Sequence, residues 1–158
     1  MKTDTSPRRS LSEAGLRRAL GRRGRRYTRQ RAAVYCCLTR QDSHPTAEAL
    51  YLEVLKEVPH LSLATVYKSL EALVAAGVVT KLDFADSAAR YDARCDKHVH
   101  ARCLRCGRVL DVPGELPPAP PVDRVAMRGF QVSGYRIEVL GTCGECARRR
   151  EKTKKPLV

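Results

Sequence analysis

The chain has 158 residues, a formal net charge of +13 and seven cysteines, which allows one domain or two small ones. Its apolar segments are too short to cross a bilayer, and residues 1–10 lack the apolar core of a signal peptide. We therefore expect a cytoplasmic protein with no membrane partner. In a reducing compartment, seven cysteines favour metal binding over structural disulfides.

The positive charge lies at the two ends of the chain. Residues 1–31 have a net charge of +9 and residues 147–158 a net charge of +5, so the residues between them are close to neutral. Basic arms on a neutral body favour a polyanion partner, most often nucleic acid. Solvated, disordered ends are the alternative interpretation, above all for the C-terminal tail.

Four helices are predicted in the N-terminal half, because apolar residues recur there at helical spacing. The first spans 11–23, the second ends at residue 38, and the third and fourth are ended by Pro59 and Gly77. Each helix follows a residue suited to capping its N-terminus: Ser10, Thr28, Thr46 and Ser62. Thr65, Tyr67 and Lys68 occupy the polar face of the fourth helix.

A hairpin is predicted directly after the fourth helix. Residues 78–84 alternate as a strand does, 90–93 provide the partner, and 85–89 form the turn. Helices followed by a two-stranded hairpin are the order of a winged helix-turn-helix. In such a domain the last helix enters the major groove of DNA.

The remaining residues predict a second, smaller domain. Strands over 99–103 and 108–112 flank a turn, and a proline-rich connector over 113–121 leads to a short helix (122–128) and a strand (130–140). A domain of this size buries too little apolar surface to be stable alone. We therefore expect a bound metal and a second copy of the chain to stabilise it. The predicted class is α+β. A winged helix-turn-helix with a basic arm occupies residues 1–93, and a small α/β dimerisation domain with a zinc site and a basic tail occupies residues 94–158.

Two C-x-x-C pairs predict a zinc site. Two intervening residues let one tight turn present both sulfurs, and four thiolates suit tetrahedral zinc. The alternative, a pair of thioredoxin-like redox motifs, lacks the βαβ pattern that would surround it. The predicted ligands are Cys103, Cys106, Cys143 and Cys146.

Nitrogen and oxygen donors surround the first cysteine pair. Asp92, His98, His100 and Asp111 are harder ligands than thiolates and favour different metals, so a second site with a second role is the working hypothesis. Two other classes stay open. A zinc enzyme would use His98 and His100 with a carboxylate and an open coordination position, whereas a zinc-stabilised interaction module would bind no duplex DNA.

Several segments resemble the ferric uptake regulator family over about residues 11–148. The resemblance is carried by Tyr-Thr-Arg-Gln-Arg ending at residue 31, His44-Pro-Thr-Ala-Glu, Ser62-Leu-Ala-Thr-Val-Tyr-Lys-Ser-Leu, Ala76-Gly-Val-Val, His98-Val-His and the C-x-x-C pairs. It implies a homodimeric, metal-responsive transcriptional repressor that binds a roughly palindromic double-stranded operator and is not an enzyme. It also implies one structural zinc ion per chain on the four cysteines.

The resemblance further implies one regulatory Fe(II) or Mn(II) per chain, held by His44, Asp92, His98, His100 and Asp111. Iron-sensing members often carry glutamate where Asp111 stands, so the peroxide-sensing branch, often called PerR, fits best. In that branch iron-catalysed oxidation of His44 or His98 releases the DNA. Iron, manganese and zinc sensing stay open as alternatives; zinc sensing is suggested by Cys95, although Asp92 already fills the expected position.

DNA contacts are predicted on the same basis. Tyr67 and Lys68 are expected near base edges, Thr65 beside them on the same helix face, and Arg26 and Arg29 of the basic arm on phosphates. Peroxide sensors often carry asparagine where Lys68 stands, so no operator sequence is predicted.

Overall fold

The structure is a computed structural model that describes residues 10–84, 87–94, 96, 98–112, 129–131 and 137–153. The chain forms two compact units, Met1–Asp96 and Lys97–Val158. The predicted division into domains after residue 93 concerns independent folding and stays a prediction. None of the described helices combines the length and the apolar character that a membrane crossing requires.

Four helices make up most of the first unit. They are α1 (Glu13–Gly21), α2 (Arg29–Thr39), α3 (Ala47–Val54) and α4 (Leu63–Ala75). Three predicted N-caps are confirmed, because the side-chain oxygens of Thr28, Thr46 and Ser62 accept from the backbone N–H three residues later, at 3.1, 3.2 and 3.2 Å. Gly77 ends α4 as predicted, with the positive φ of +69° that a side chain would disfavour.

Two helix boundaries were predicted wrongly. The N-cap of α1 is Ser12, which accepts from the Gly15 N–H at 3.2 Å, and not Ser10. The Leu11 N–H donates to the Tyr35 hydroxyl at 3.0 Å, a tertiary contact that keeps Leu11 outside the helix. α3 ends at Val54, five residues before Pro59, because its last turn tightens into bonds such as that from the Glu57 N–H to the Val54 carbonyl (3.0 Å).

The apolar faces of the helices meet in one core. Leu16 and Leu20 of α1 are buried, as their helical spacing implies, and Tyr35 of α2 packs in the same core. The core members are Leu16, Leu20, Val34, Tyr35, Cys37, Leu38, Ala47, Leu50, Val54, Leu61, Val66, Leu70, Ala72, Leu73, Val78, Val79 and Tyr91. Burying this much apolar surface is the main stabilising contribution to the unit.

The hairpin of the first unit consists of β1 (Thr80–Phe84) and β2 (Ser87–Asp92), paired antiparallel. Residues 87–89 were predicted as turn, but Ser87 pairs with Phe84 after a register shift between Leu82 and Phe84. Small residues there resemble a turn in sequence, yet cross-strand pairing extends the strand. Four helices followed by this hairpin confirm the predicted winged helix-turn-helix order.

A three-stranded sheet forms the described part of the second unit. Its strands are β3 (Val99–Cys103), β4 (Val109–Val112) and β5 (Glu138–Gly141), in the order β4-β3-β5. β3 pairs antiparallel with β4 and parallel with β5. The mixture of helices and strands across the two units confirms the predicted α+β class.

The second unit departs from prediction in its last third. A helix, α5 (Gly144–Thr153), begins before the basic tail and extends into it, where the sequence predicted no helix. The predicted strand over 130–140 is wrong at Phe130, which lies outside any strand and is 68% exposed, and the observed strand begins at Glu138. The predicted connector over 113–121 and helix over 122–128 lie outside the described residues, as do Cys95 and the middle of the predicted strand.

Candidate metal centres and nucleic-acid interface

Four cysteines from two separate segments meet in the second unit. Cys103 ends β3, Cys106 follows in the turn, and Cys143 and Cys146 lie at the start of α5. Their sulfurs all lie within 4.8 Å of one another, and the sulfurs of Cys106 and Cys143 are 3.7 Å apart. A tetrahedral ion with Zn–S bonds of about 2.3 Å requires sulfurs about 3.8 Å apart. The donor type and the spacing therefore both fit zinc.

Backbone hydrogen bonds hold the first pair in its turn. The Gly107 N–H donates to the Cys103 carbonyl and the Cys103 N–H to the Arg108 carbonyl, both at 2.9 Å. Gly107 has a φ of +67°, a conformation that a residue with a Cβ rarely adopts, so a glycine suits this position. The chain consequently reverses just after Cys106 and directs both sulfurs to one side.

The two cysteine segments are joined by polar contacts. Arg108 forms two hydrogen bonds of 2.9 Å with the Glu145 carboxylate, which lies between Cys143 and Cys146 in sequence. The Leu104 N–H donates to the Gly141 carbonyl at 2.8 Å. Neither contact was predicted from sequence, since a pair across 37 residues leaves no local pattern.

Two of the four thiols have pKa values shifted in opposite directions. The Cys143 N–H donates to the Cys103 sulfur at 3.2 Å, and this bond is the main cause that lowers the pKa of Cys103 to about 6. A hydrogen bond with the Cys106 side chain is the main cause that raises the pKa of Cys146 to about 12. Crowded sulfurs cannot all ionise without a cation, so the cluster is suited to binding one.

A buried histidine and a buried aspartate meet in the first unit. His44 and Asp92 are each 1% exposed, and His44 Nε2 lies 3.6 Å from Asp92 Oδ2. The other carboxylate oxygen, Oδ1, accepts from the Arg94 N–H at 2.7 Å. Buried polar groups require partners, and an imidazole nitrogen facing a carboxylate oxygen is a donor pair that could hold a metal ion.

The backbone around His44 is bonded to β2. Arg90 Nη1 donates to the His44 carbonyl at 2.8 Å, and the Tyr91 N–H donates to the Pro45 carbonyl at 3.0 Å. These bonds place His44 and Pro45, which precede the Thr46 N-cap of α3, beside the end of the hairpin. Sequence reasoning selected His44 and Asp92 but missed Arg90, whose only signal was its position two residues before Asp92.

Three further donors gather in the second unit. Asp111 Oδ1 lies 3.3 Å from His98 Nε2 and 3.8 Å from His100 Nε2, and the two imidazole centroids are 4.4 Å apart. β-Sheet register explains the cluster, because His100 is paired with Asp111 across β3 and β4, while His98 precedes it by two residues on the same side. Of the five predicted ligands, His44 and Asp92 thus belong to the first unit, and the other three belong to the second.

The predicted nucleic-acid residues are found on the surface of the first unit. Tyr67 and Lys68 project from α4 into solvent, and Thr65, half-buried, shares a 2.8 Å hydrogen bond with the Ser62 hydroxyl. Arg26 and Arg29 are exposed on either side of the α2 N-cap. The Tyr67 hydroxyl donates to the carboxylate of Glu48 on α3, and this bond raises the pKa of Tyr67.

Comparison with known proteins gives concordant results. Residues 22–140 match the model of the ferric uptake regulator family. The chain is 35% identical over 137 residues to the peroxide-responsive repressor PerR of Staphylococcus aureus, covering 85% of this chain and 88% of that protein. It is similar to a solved zinc-bound manganese uptake regulator (TM-score 0.58, 28% identity, 81% of this chain and 98% of the other). It is also similar to the Vibrio cholerae ferric uptake regulator (TM-score 0.58, 26% identity, 80% and 98%).

Proposed function

The chain belongs to the ferric uptake regulator family, and from this premise we propose that it is a metal-dependent, DNA-binding transcriptional repressor that senses peroxide. One observation carries the proposal: a four-sulfur cluster and a separate set of nitrogen and oxygen donors occur in the same chain. Soft and hard donors kept apart suit two metals with different roles. The proposed role is regulatory and not enzymatic, and the proposed place of action is the cytoplasm.

The four cysteines are proposed to hold one structural zinc ion per chain. A site with four protein ligands leaves no open position for substrate, which is typical of structural zinc. The second unit needs such support, since its buried apolar residues among those described are Val99, Cys103 and Val109. Zinc in this site is therefore proposed to stabilise the fold and to take no part in sensing.

The regulatory ion is proposed to be Fe(II) or Mn(II), one per chain. By the family resemblance its ligands are His44 and Asp92 of the first unit with His98, His100 and Asp111 of the second. The pair and the trio described above each present nitrogen and oxygen atoms, a donor set suited to these ions. Because the ligands belong to two units, an ion that bound all of them would favour the conformation that binds DNA, as a regulatory ligand must.

Peroxide sensing is proposed from the aspartate at position 111 and from the similarity to PerR. Fe(II), when bound, would supply the chemistry that cleaves the O–O bond of peroxide; overall, one oxygen atom would be inserted into an imidazole and the other would leave as water. The chain contributes the target, proposed to be His44 or His98. An oxidised imidazole would be a poorer donor, so these residues would hold the regulatory metal less tightly and the affinity for DNA would fall.

DNA binding is proposed through α4 and the basic N-terminal arm. Tyr67 and Lys68 are exposed on α4 and are proposed to contact base edges of a roughly palindromic duplex, with Thr65 beside them. Arg26 and Arg29 are proposed to bind phosphates. The net charge of +9 over residues 1–31 supports this assignment.

A homodimer is proposed because one face of the second unit's sheet is apolar and open. Ala101, Leu110 and Val139 are paired across the three strands and therefore share a face, and Leu110 and Val139 are 43% and 45% exposed. Apolar side chains aligned in this way are typical of an interface. A two-fold dimer also matches a palindromic operator.

An iron-, manganese- or zinc-responsive repressor of metal homeostasis genes is the second candidate. The similarity to a zinc-bound manganese uptake regulator favours it, as does Lys68 in place of the asparagine often found in peroxide sensors. The same ligands would serve this function, but the metal's occupancy and not its oxidation chemistry would be the signal.

Brief peroxide treatment of the Fe(II)-loaded protein separates the two candidates. We expect one added oxygen atom on the tryptic peptide of His44 or His98 by mass spectrometry, together with loss of DNA binding. The Mn(II)-loaded protein is the matched control and should bind DNA before and after treatment. Asp111→Glu should keep metal-dependent DNA binding but resist peroxide. Unmodified peptides with persistent DNA binding would overturn peroxide sensing in favour of metal sensing.

A further inference from the structure

His100 has a carboxylate on each side of it in the sheet. It lies on the central strand β3, paired with Asp111 of β4 on one side and with Glu138 of β5 on the other. Residues paired across neighbouring strands project from the same face, with the strands about 5 Å apart. Two negatively charged oxygen donors therefore flank one proposed metal ligand.

The two carboxylates make different contacts. Asp111 turns toward the imidazoles, with Oδ1 at 3.3 Å from His98 Nε2 and 3.8 Å from His100 Nε2. Glu138 instead accepts a hydrogen bond of 2.7 Å from Arg102 Nε. Arg102 follows His100 by two residues on β3, so it lies on the same face.

The Arg102–Glu138 ion pair is largely shielded from water. The two side chains are 13% and 22% exposed. A charge-assisted hydrogen bond in such a place is strong, because little solvent competes for either partner. Glu138 is thus held by a specific partner and not by chance surface contact.

We propose that Arg102 sets the metal preference of the regulatory site by holding Glu138 away from it. This inference rests on the proposed function, since it concerns the regulatory ion, whose five proposed ligands include His98, His100 and Asp111. Arg102 and Glu138 are positioning residues here. Neither ligates the metal in the native protein.

Ligand chemistry gives the direction of the effect. Zn(II) favours four ligands in a tetrahedron, whereas Mn(II) accepts more oxygen donors. A released Glu138 carboxylate beside His100 would add a negatively charged oxygen donor to the site. Releasing it should therefore strengthen Mn(II) binding and leave Zn(II) binding nearly unchanged.

The experiment measures metal affinity and not DNA binding. Full-length protein with zinc in the cysteine site is titrated with Mn(II) and with Zn(II) against a fluorescent chelator. Arg102→Met removes the guanidinium but keeps an unbranched side chain, and it should bind Mn(II) about tenfold more tightly, the scale of effects around metal ligands. Arg102→Lys retains the positive charge, and its Mn(II) affinity should stay within about twofold of the native value.

Glu138 variants distinguish two roles of the ion pair: keeping Glu138 from binding the metal, or only joining β3 to β5. Glu138→Gln should leave Mn(II) affinity within about twofold of native, because Glu138 is not a ligand there. The double variant Arg102→Met, Glu138→Gln should lose the gain made by Arg102→Met. Circular dichroism checks folding, and Arg102→Gln replaces the methionine variant if that one does not fold.

Two results would overturn the inference. Equal Mn(II) affinity in the Arg102 single variant and the double variant would mean that the ion pair only joins β3 to β5. A marked loss of Mn(II) affinity in Glu138→Gln alone would mean that Glu138 is already a ligand. If the native protein binds no Mn(II), the proposed regulatory site itself fails, which is a separate outcome.

Discussion

The two units are stabilised by different means. The first has a continuous core formed by residues of all four helices and the hairpin, among them the fully buried Leu70 and Val34. In the second, the buried apolar side chains among the described residues are Val99, Cys103 and Val109, and cross-links between segments replace a core. These cross-links are the cysteine cluster and the Arg108–Glu145 and Arg102–Glu138 pairs. Small units without a sufficient core need such cross-links.

The largest expected effect is loss of the cysteine cluster. Cys103→Ser should lower zinc affinity by more than about 100-fold, since removing a ligand costs more than altering its surroundings. The second unit should unfold and the dimer dissociate, while the helices of the first unit persist. Zinc content and far-ultraviolet circular dichroism measure the two responses. Cys36→Ser, at an exposed cysteine of α2, is the control and should change neither. A zinc-free, folded dimer of Cys103→Ser would show that the cysteine cluster does not stabilise the second unit.

A cavity in the core of the first unit should destabilise that unit and leave the zinc site of the second unit unchanged. Leu70→Ala deletes a fully buried side chain and should lower the free energy of unfolding of the first unit by about 3 kcal/mol, with zinc content unchanged. Urea denaturation measures it. Leu52→Ala, at a position that is 62% exposed, should cost less than about 0.5 kcal/mol. Zinc loss on Leu70→Ala would mean that the two units are not stabilised separately.

Acid should weaken the second unit before the first. The pKa of Cys103 is lowered to about 6 in the folded chain, so its ionised thiolate stabilises the metal-free fold at alkaline pH. This contribution declines as the pH falls from the usual thiol range and is absent below about pH 6. The pKa of Cys146 is raised to about 12, so zinc must displace its proton at neutral pH.

Zinc affinity measured by chelator competition should therefore fall at least about tenfold per pH unit between pH 8 and 6, and more steeply below 6, where Cys103 also binds a proton. The first unit's helical signal should stay constant over this range. An affinity independent of pH would show that the sulfurs are not the ligands.

The smallest effect is expected at the Tyr67–Glu48 hydrogen bond. The bond joins α4 to α3 near solvent, where water replaces a lost partner readily. Tyr67→Phe should shift the melting temperature of the first unit by about 2 °C or less. Glu48→Gln, which keeps a hydrogen-bond acceptor, serves as the matched variant. A large shift on Tyr67→Phe would show that this bond supports the core and is not a surface feature.

Much of the first unit could be predicted because its signals are local. Thr28, Thr46 and Ser62 cap helices with their own side chains. Leu16 and Leu20 lie one helical turn apart on α1, and both are buried. Neighbours in sequence therefore suffice to define these features. Ser10 was mistaken for a cap because the contact that decided against it, from Leu11 to Tyr35, spans 24 residues. Local patterns cannot reveal such a bond.

The sequence by itself determined which side chains carry the chemistry, because thiolate, imidazole and carboxylate donors are properties of residue types and C-x-x-C spacing is local. Only the tertiary structure decided how those donors are grouped. Sheet register set His100 between Asp111 and Glu138, and α5, which basic composition concealed, brought Cys143 and Cys146 to the first cysteine pair. Both arrangements depend on pairing between distant segments, which hydrogen-bond geometry and packing select and which composition does not record.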